Sequence, residues 1–347
     1  MQQKIKTLII FTLAVAMLTA CKKDSPSERS VKKTEKKKQV TSIGFSIDTL
    51  ALERWQRDLD VFINRLRERG AEAIVQNAGN SVEEQNKQLR YLMERNVNVI
   101  VAVAKDQDSL TEILTEIHNK GIKIISYDRL ITNAPVDLYI SVNTERVGEL
   151  MAQRFLASNV GKRWYLILGP QEDYNMTLMQ RGIELTTRGK DVLIEGIFYT
   201  DGWNYDLSYN AAVDLITKGP IPDAIICGND AVAGSVLNAM DDYYPEHHIP
   251  ICGQDADIAA CQNIVRGKQD FTVYKPITTL AEKAADCAVS LAQGMDETNI
   301  VPKGSTINNG YDDIPVIWLE PEIVTKSNID DIVIKSGFHT YGEVYRQ

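Results

Sequence analysis

From residue 40 onward the chain switches between two hydrophobic patterns. Residues 40–47, 73–76, 97–103 and 122–127 are short apolar runs that are nearly continuous, as in strands covered on both faces. Between them lie helix-period stripes. Leu52, Trp55, Leu59, Phe62, Ile63 and Leu66 form one that stops at Gly70, and Leu110, Ile113, Leu114 and Ile117 form another that stops at Gly121. A fifth strand is expected at residues 138–142. This strand–helix order calls for a parallel, doubly wound sheet with right-handed crossovers. The pattern then starts again. A helix at about 145–157 is followed by strands at 164–168, 193–199, 224–227, 249–252 and 271–274, with helical stretches between them. The expected fold class is α/β, with two doubly wound parallel-sheet lobes.

The strand ends carry the chemistry. In open α/β sheets, ligands bind outside the carboxyl ends of the strands. Here those ends hold Asp48, Asp128, Arg129, Asp173, Asn175, Trp203, Asn229, Asp230, Asp255 and Lys275, and Arg54 lies in the first turn of the first helix. Asp48–Thr49 is placed to cap that helix, and Asn229–Asp230 to cap another. Trp203 and Lys275 are not usual turn residues. Carboxylates and amides accept from hydroxyls, Arg and Lys donate to them, and an indole offers a flat apolar face. Such a set suits a small, neutral, polyhydroxylated ligand.

Composition narrows the classes. A length of 347 residues exceeds what one core usually supports, which fits two lobes. A net charge of −9 excludes the basic footprint of a nucleic-acid binder. No G-x-G or P-loop pattern occurs, nor G-x-S-x-G, and the four histidines lack metal-ligand spacing. No cofactor, metal or catalytic group is expected, and ionised carboxylates held by Arg and Lys would make poor general acids. Cys227, Cys252, Cys261 and Cys287 read as buried free thiols, although disulfide pairing stays open.

The first residues are a different material. Lys4 and Lys6 precede an apolar run, and Leu18-Thr19-Ala20-Cys21 resembles the bacterial lipoprotein cleavage pattern, with Cys21 as the lipidated residue. Residues 1–21 are thus a signal peptide and residues 22–39, rich in Lys, Ser and Glu, a flexible tether.

Ser42-Ile-Gly-Phe-Ser-Ile-Asp48, Leu52-Glu-Arg-Trp55, Ser126-Tyr-Asp-Arg129, Gly228-Asn-Asp230, Gly253-Gln-Asp-Ala-Asp257, Val273-Tyr-Lys-Pro-Ile277 and Asn308-Asn-Gly310 together resemble the D-xylose-binding members of the periplasmic sugar-binding proteins of ABC transport. The likeness runs from about residue 40 to 338. It implies a type I periplasmic binding fold, in which two lobes joined by three crossovers enclose a monosaccharide. It places residues 40–142 with 276–308 in the first lobe and 143–275 with 309–347 in the second. It assigns the sugar to Arg54, Asp128, Arg129, Asp173, Asn175, Trp203, Asn229, Asp255 and Lys275. It further implies a monomer without enzymatic activity, tethered in the cell envelope by the lipid alone and serving an ABC permease. The alternative it leaves is a sensor for ribose, allose or galactose that signals to a receptor kinase. Two departures are visible: Tyr174 stands where the family has Asn, and Thr49 where it has an acid.

Overall fold

The computed structural model describes residues 40–346, so the signal peptide, Cys21 and the tether lie outside the described residues. The first lobe opens with β1 (Thr41–Ile47), α1 (Glu53–Glu68), β2 (Ala71–Asn77), α2 (Val82–Glu94), β3 (Val99–Val103), α3 (Thr111–Asn119), β4 (Lys123–Tyr127) and β5 (Leu138–Val142). The second lobe follows with α4 (Thr144–Ala157), β6 (Arg163–Leu168), α5 (Tyr174–Thr187), β7 (Leu193–Tyr199), α6 (Tyr205–Lys218), β8 (Ala224–Cys227), α7 (Asp230–Tyr243), β9 (Ile251–Gln254), α8 (Ile258–Arg266) and β10 (Phe271–Tyr274). Then come α9 (Ile277–Ala292), β11 (Thr306–Asn308), β12 (Asp313–Leu319) and β13 (Glu322–Val324).

Two sheets result, ordered β11-β12-β5-β4-β3-β1-β2 and β13-β10-β9-β8-β6-β7. The run β2-β1-β3-β4-β5 has the same connectivity as β7-β6-β8-β9-β10, so the second half repeats the first. All pairings are parallel except β11–β12 and β10–β13. Strands β3, β5, β8, β9 and β10 are buried throughout, which explains why they are apolar on both faces, with only Ser141, Gln254 and Thr272 as polar members. Apolar cores fill both faces of each sheet. Ile43, Phe45, Phe62 and Leu280 anchor one side of the first sheet, and Leu89, Ile100, Leu114 and Tyr139 the other. Met151, Phe155 and Trp164 pack on one side of the second sheet, and Ile167, Val236 and Ile251 on the other. Helices α4 and α5 approach closely: a Cβ on Gly148 would lie 2.0 Å from the Met179 carbonyl oxygen, and one on Gly182 the same distance from that of Glu145. Only glycine allows that contact.

The chain crosses between sheets three times, after β5, after β10 and between β12 and β13. The last crossing differs from the sequence reading, which placed residues 309–347 wholly in the second lobe. Strand β12 instead pairs in parallel with β5, and the chain stays with the first sheet to Leu319. Its burial alternates and covers what would otherwise be the open edge beside β5. Helix α1 also lacks the expected cap. Leu52 occupies the N-cap position without a side-chain bond, and the Asp48 carboxylate turns inward instead.

Candidate functional site

All nine residues singled out by sequence line one cavity at the facing carboxyl ends of the two sheets. Arg54 comes from the start of α1, and Asp128 and Arg129 follow β4. Asp173 caps α5, and Asn175 lies in its first turn. Trp203 follows β7, Asn229 follows β8, Asp255 follows β9 and Lys275 follows β10. Leu52, Trp55, Met176 and Gln254 complete the wall. The cavity encloses about 300 Å³ of space between atoms, open solvent included.

The charged side chains pair across the two lobes. The Arg54 guanidinium donates to Asp128 Oδ1, with Asp255 Oδ1 at 3.6 Å and Asp58 Oδ2 at 3.7 Å. Arg129 reaches Asp48 Oδ2 at 2.6 Å and the Ala104 carbonyl at 3.0 Å, while its Nε lies 2.8 Å from Asp173 Oδ2. Lys275 Nζ lies 2.7 Å from Asp255 Oδ1. Asn175 Nδ2 donates to Asp128 Oδ2 at 3.0 Å. Each of these charged groups is at most 8% exposed, so the pairs are formed away from bulk water. The cavity wall carries three carboxylates (Asp128, Asp173, Asp255) and three cations (Arg54, Arg129, Lys275). That balance leaves no net charge to attract an ion.

Backbone geometry is unusual at this place. Asp128, Trp203 and Asp255 have φ values of 62°, 56° and 99°. Non-glycine residues in that region cost roughly 1–3 kcal/mol each and cluster where a side chain must be aimed. The Asp128 carbonyl is held by the hydroxyls of Tyr139 at 2.9 Å and Ser141 at 2.7 Å. The Trp203 ring packs against Gly169, where a Cβ would meet ring carbons at 2.3 Å.

With this geometry in view, comparison with known proteins is informative. The profile of the periplasmic binding protein domain matches residues 43–296. The chain belongs to this family. It is 37% identical over 310 residues to the D-xylose-binding periplasmic protein of Haemophilus influenzae, covering 87% of this chain and 92% of that one. The protein of the same name from Escherichia coli is 36% identical over 308 residues, with the same coverage. An ABC transporter solute binding protein from Clostridium phytofermentans, solved with bound β-D-glucose, superposes with a TM-score of 0.81 at 25% identity, covering 87% of this chain and 99% of that one. The two-lobed α/β architecture is that of the type I periplasmic binding proteins.

Within this family fold, electrostatics follow from burial and pairing. Burial works against the Arg54 charge, but Asp128, Asp58 and Asp255 outweigh it and raise its pKa. Arg129 is raised in the same way by Asp173 and Asp48. Burial would raise Asp128, yet Arg54 and Lys275 hold it below the usual carboxylate range. Asp173 shifts the other way: burial, helped by the Asp128 charge, raises its pKa despite Arg129. Behind Arg54, Asp58 is pushed up to about 7 by burial, with Arg54 opposing, and accepts from the Tyr127 hydroxyl at 2.9 Å.

Two strand-end residues have structural duties. Asn229 Oδ1 accepts from Val232 N at 2.8 Å, the cap expected from sequence, while its residue still lines the cavity. Asp230 turns away into the second lobe and accepts from Gln269, Thr272 and the Asp257 amide. Asp48 is buried behind Arg129. Trp55 and Gln254 were missed as wall residues. Trp55 read as one more member of an apolar helix stripe, yet it stacks beneath the Arg54 guanidinium at 4.4 Å. Gln254 sat inside a recognised motif. Among the described residues, Trp55 Nε1 and Gln254 Oε1 have no hydrogen-bond partner although both side chains are buried. A buried polar atom left so is costly.

Proposed function

We propose that this protein is a binding protein that encloses one free monosaccharide, D-xylose in first place, between its two lobes and presents it to an ABC importer. The observation that carries the reading is the cavity itself, where nine polar or aromatic residues from both lobes meet with charges that cancel. A neutral sugar has no charge of its own to match, but each hydroxyl both donates and accepts. Carboxylates and guanidinium or ammonium groups give such hydroxyls bonds about twice as strong as neutral groups do. Trp203 supplies a face for the C–H side of the ring. The two relatives called D-xylose-binding support the choice of aldose, and the family supports delivery to a transporter.

Arg54, Asp128, Arg129, Asp173, Asn175, Trp203, Asn229, Asp255 and Lys275 are the proposed sugar contacts. A pentose has about ten non-hydrogen atoms, and at roughly −0.8 to −1 kcal/mol each an affinity between micromolar and tens of nanomolar is attainable. Capture and release require hinge motion of the lobes about the three crossovers. The sugar leaves unchanged, so the protein is not an enzyme. In this reading it works as a monomer in the cell envelope, held to the membrane by a lipid on Cys21.

Isothermal titration against D-xylose, with ribose, glucose and arabinose alongside, tests the proposal. Tight one-to-one binding of xylose is expected, with the sugar recovered intact. A stronger response to another aldose would replace the ligand but keep the site. Binding of none would overturn the reading.

A further inference from the structure

Tyr174 stands in the loop that carries two proposed sugar contacts, and the cavity wall does not include it. It begins α5 of the second lobe, between the two proposed sugar contacts Asp173 and Asn175. Its half-buried ring packs on the apolar cluster of the first lobe that contains Leu130, Ile131 and Tyr139. Beside the cavity wall, Arg57 of α1 reaches the Phe338 carbonyl, His339 Nδ1 at 3.3 Å and the face of the Phe338 ring. At the wall itself the lobes are joined through the polar groups: Arg54 to Asp255, Arg129 to Asp173 and Asn175 to Asp128. Those groups must rearrange to accept sugar hydroxyls. The Tyr174 contact need not, because it lies on apolar surface beside them. An exposed bond from Asn80 Nδ2 to the Gly202 carbonyl, 3.3 Å, also spans the two lobes.

We propose that Tyr174 is a sugar-independent clasp between the lobes, a positioning residue that favours the closed cleft and thereby slows sugar release. The proposal rests on the sugar-binding reading for its effect on affinity but not for its effect on closure. Opening the cleft returns the apolar face of Tyr174 and its seat on the first lobe to water. An equilibrium biased toward the closed form raises apparent affinity without any added contact to the ligand. Because the lobes must part before the sugar can leave, the bias acts on the off-rate more than on the on-rate.

The test has two arms. Spin labels introduced by Tyr91→Cys on the first lobe and Leu193→Cys on the second, both at exposed positions, report the interlobe distance in the sugar-free chain. With Tyr174→Ala, a population at longer distance is expected. Stopped-flow kinetics with D-xylose should show an off-rate about five- to tenfold faster, the scale set by exposing a few tens of Å² of apolar surface, with the on-rate within twofold. Tyr174→Phe keeps the ring and should match the parent in both arms. Asn80→Ala removes only an exposed bond and should stay within twofold. Unchanged distances in Tyr174→Ala overturn the clasp, as does an affinity loss carried by the on-rate. A parent chain that binds none of the aldoses overturns the sugar reading alone, and the distance arm still decides the clasp.

Discussion

Replacing Asp128 by Asn is the sharpest test of the site. The Asp128 side chain is 2% exposed, pairs with Arg54 and accepts from Asn175, so its charge is fully committed inside the protein. Asn preserves the shape and tolerates the backbone φ of 62°, whereas Ala would add about 1–2 kcal/mol of left-handed strain and blur the result. Without the carboxylate, Arg54 keeps only Asp255 at 3.6 Å and Asp58 at 3.7 Å, both at the outer edge of ion pairing. Truncating one partner of a buried pair costs about 2–5 kcal/mol, much of it from the charge left behind. Part of that cost falls on the sugar-free chain. The share that reaches binding is about 2–3 kcal/mol, or roughly 30- to 150-fold in Kd. Isothermal titration with D-xylose reads the affinity, and a thermal melt of the sugar-free variant reads the rest. A Kd within threefold of the parent would refute the assignment of Asp128 to the ligand, whatever the melt showed.

Three further outcomes follow from the structure. Gly169→Ala drives a methyl into the Trp203 ring carbons, 2.3 Å away, and overpacking of this kind costs about 1–3 kcal/mol. Sugar affinity should fall at least tenfold with a shift in tryptophan emission, and unaltered emission would show that the ring does not rest there. Asp58 titrates near 7 when folded and near 3.8 when unfolded, so between those values the folded chain holds a proton the unfolded chain has lost. Stability contributed by this group therefore falls as pH rises from about 4 to 7, by up to roughly 4 kcal/mol at about 1.4 kcal/mol per unit. Asp58→Asn should match the parent at pH 4 and exceed it at pH 8 in urea unfolding; equal stability at pH 8 would contradict the buried charge. Finally, Cys227, Cys252 and Cys287 are buried free thiols, and burial raises the pKa of each. They should resist thiol reagent in the native chain and react once it is unfolded in the absence of reductant. Any of these three that remained blocked on unfolding would indicate a disulfide.

Much of the architecture is legible in the sequence because it depends on local rules. Buried parallel strands must be apolar on both faces, so β3, β4, β5 and β8 are visible as runs. Helices that cover them must be striped, so α1 and α3 are visible as periods. Polar residues where an apolar run ends mark the ligand side of such a sheet; this gave eleven candidates, of which all but Asp48 and Asp230 line the cavity, and the family resemblance names those nine. What local rules do not contain is the partner of each residue. Nothing in the pattern of β12 says that it completes the first sheet beside β5, because that depends on which edge is left open. Asp48 and Asn229 look like equivalent helix caps in sequence. Only the fold makes one the counterion of Arg129 and the other a true cap. Trp55 belongs to an apolar stripe until the fold sets it in the cavity wall beneath Arg54. Asp58 is one more acid on a helix until burial beside Arg54 and Tyr127 moves its proton affinity. The chain by itself therefore determined which residues would stand at the strand ends, since periodicity and turn chemistry act over a few residues. The tertiary structure alone decided which charges neutralise one another and how Tyr174 seats on the opposite lobe, because pairing and desolvation act between segments far apart in sequence.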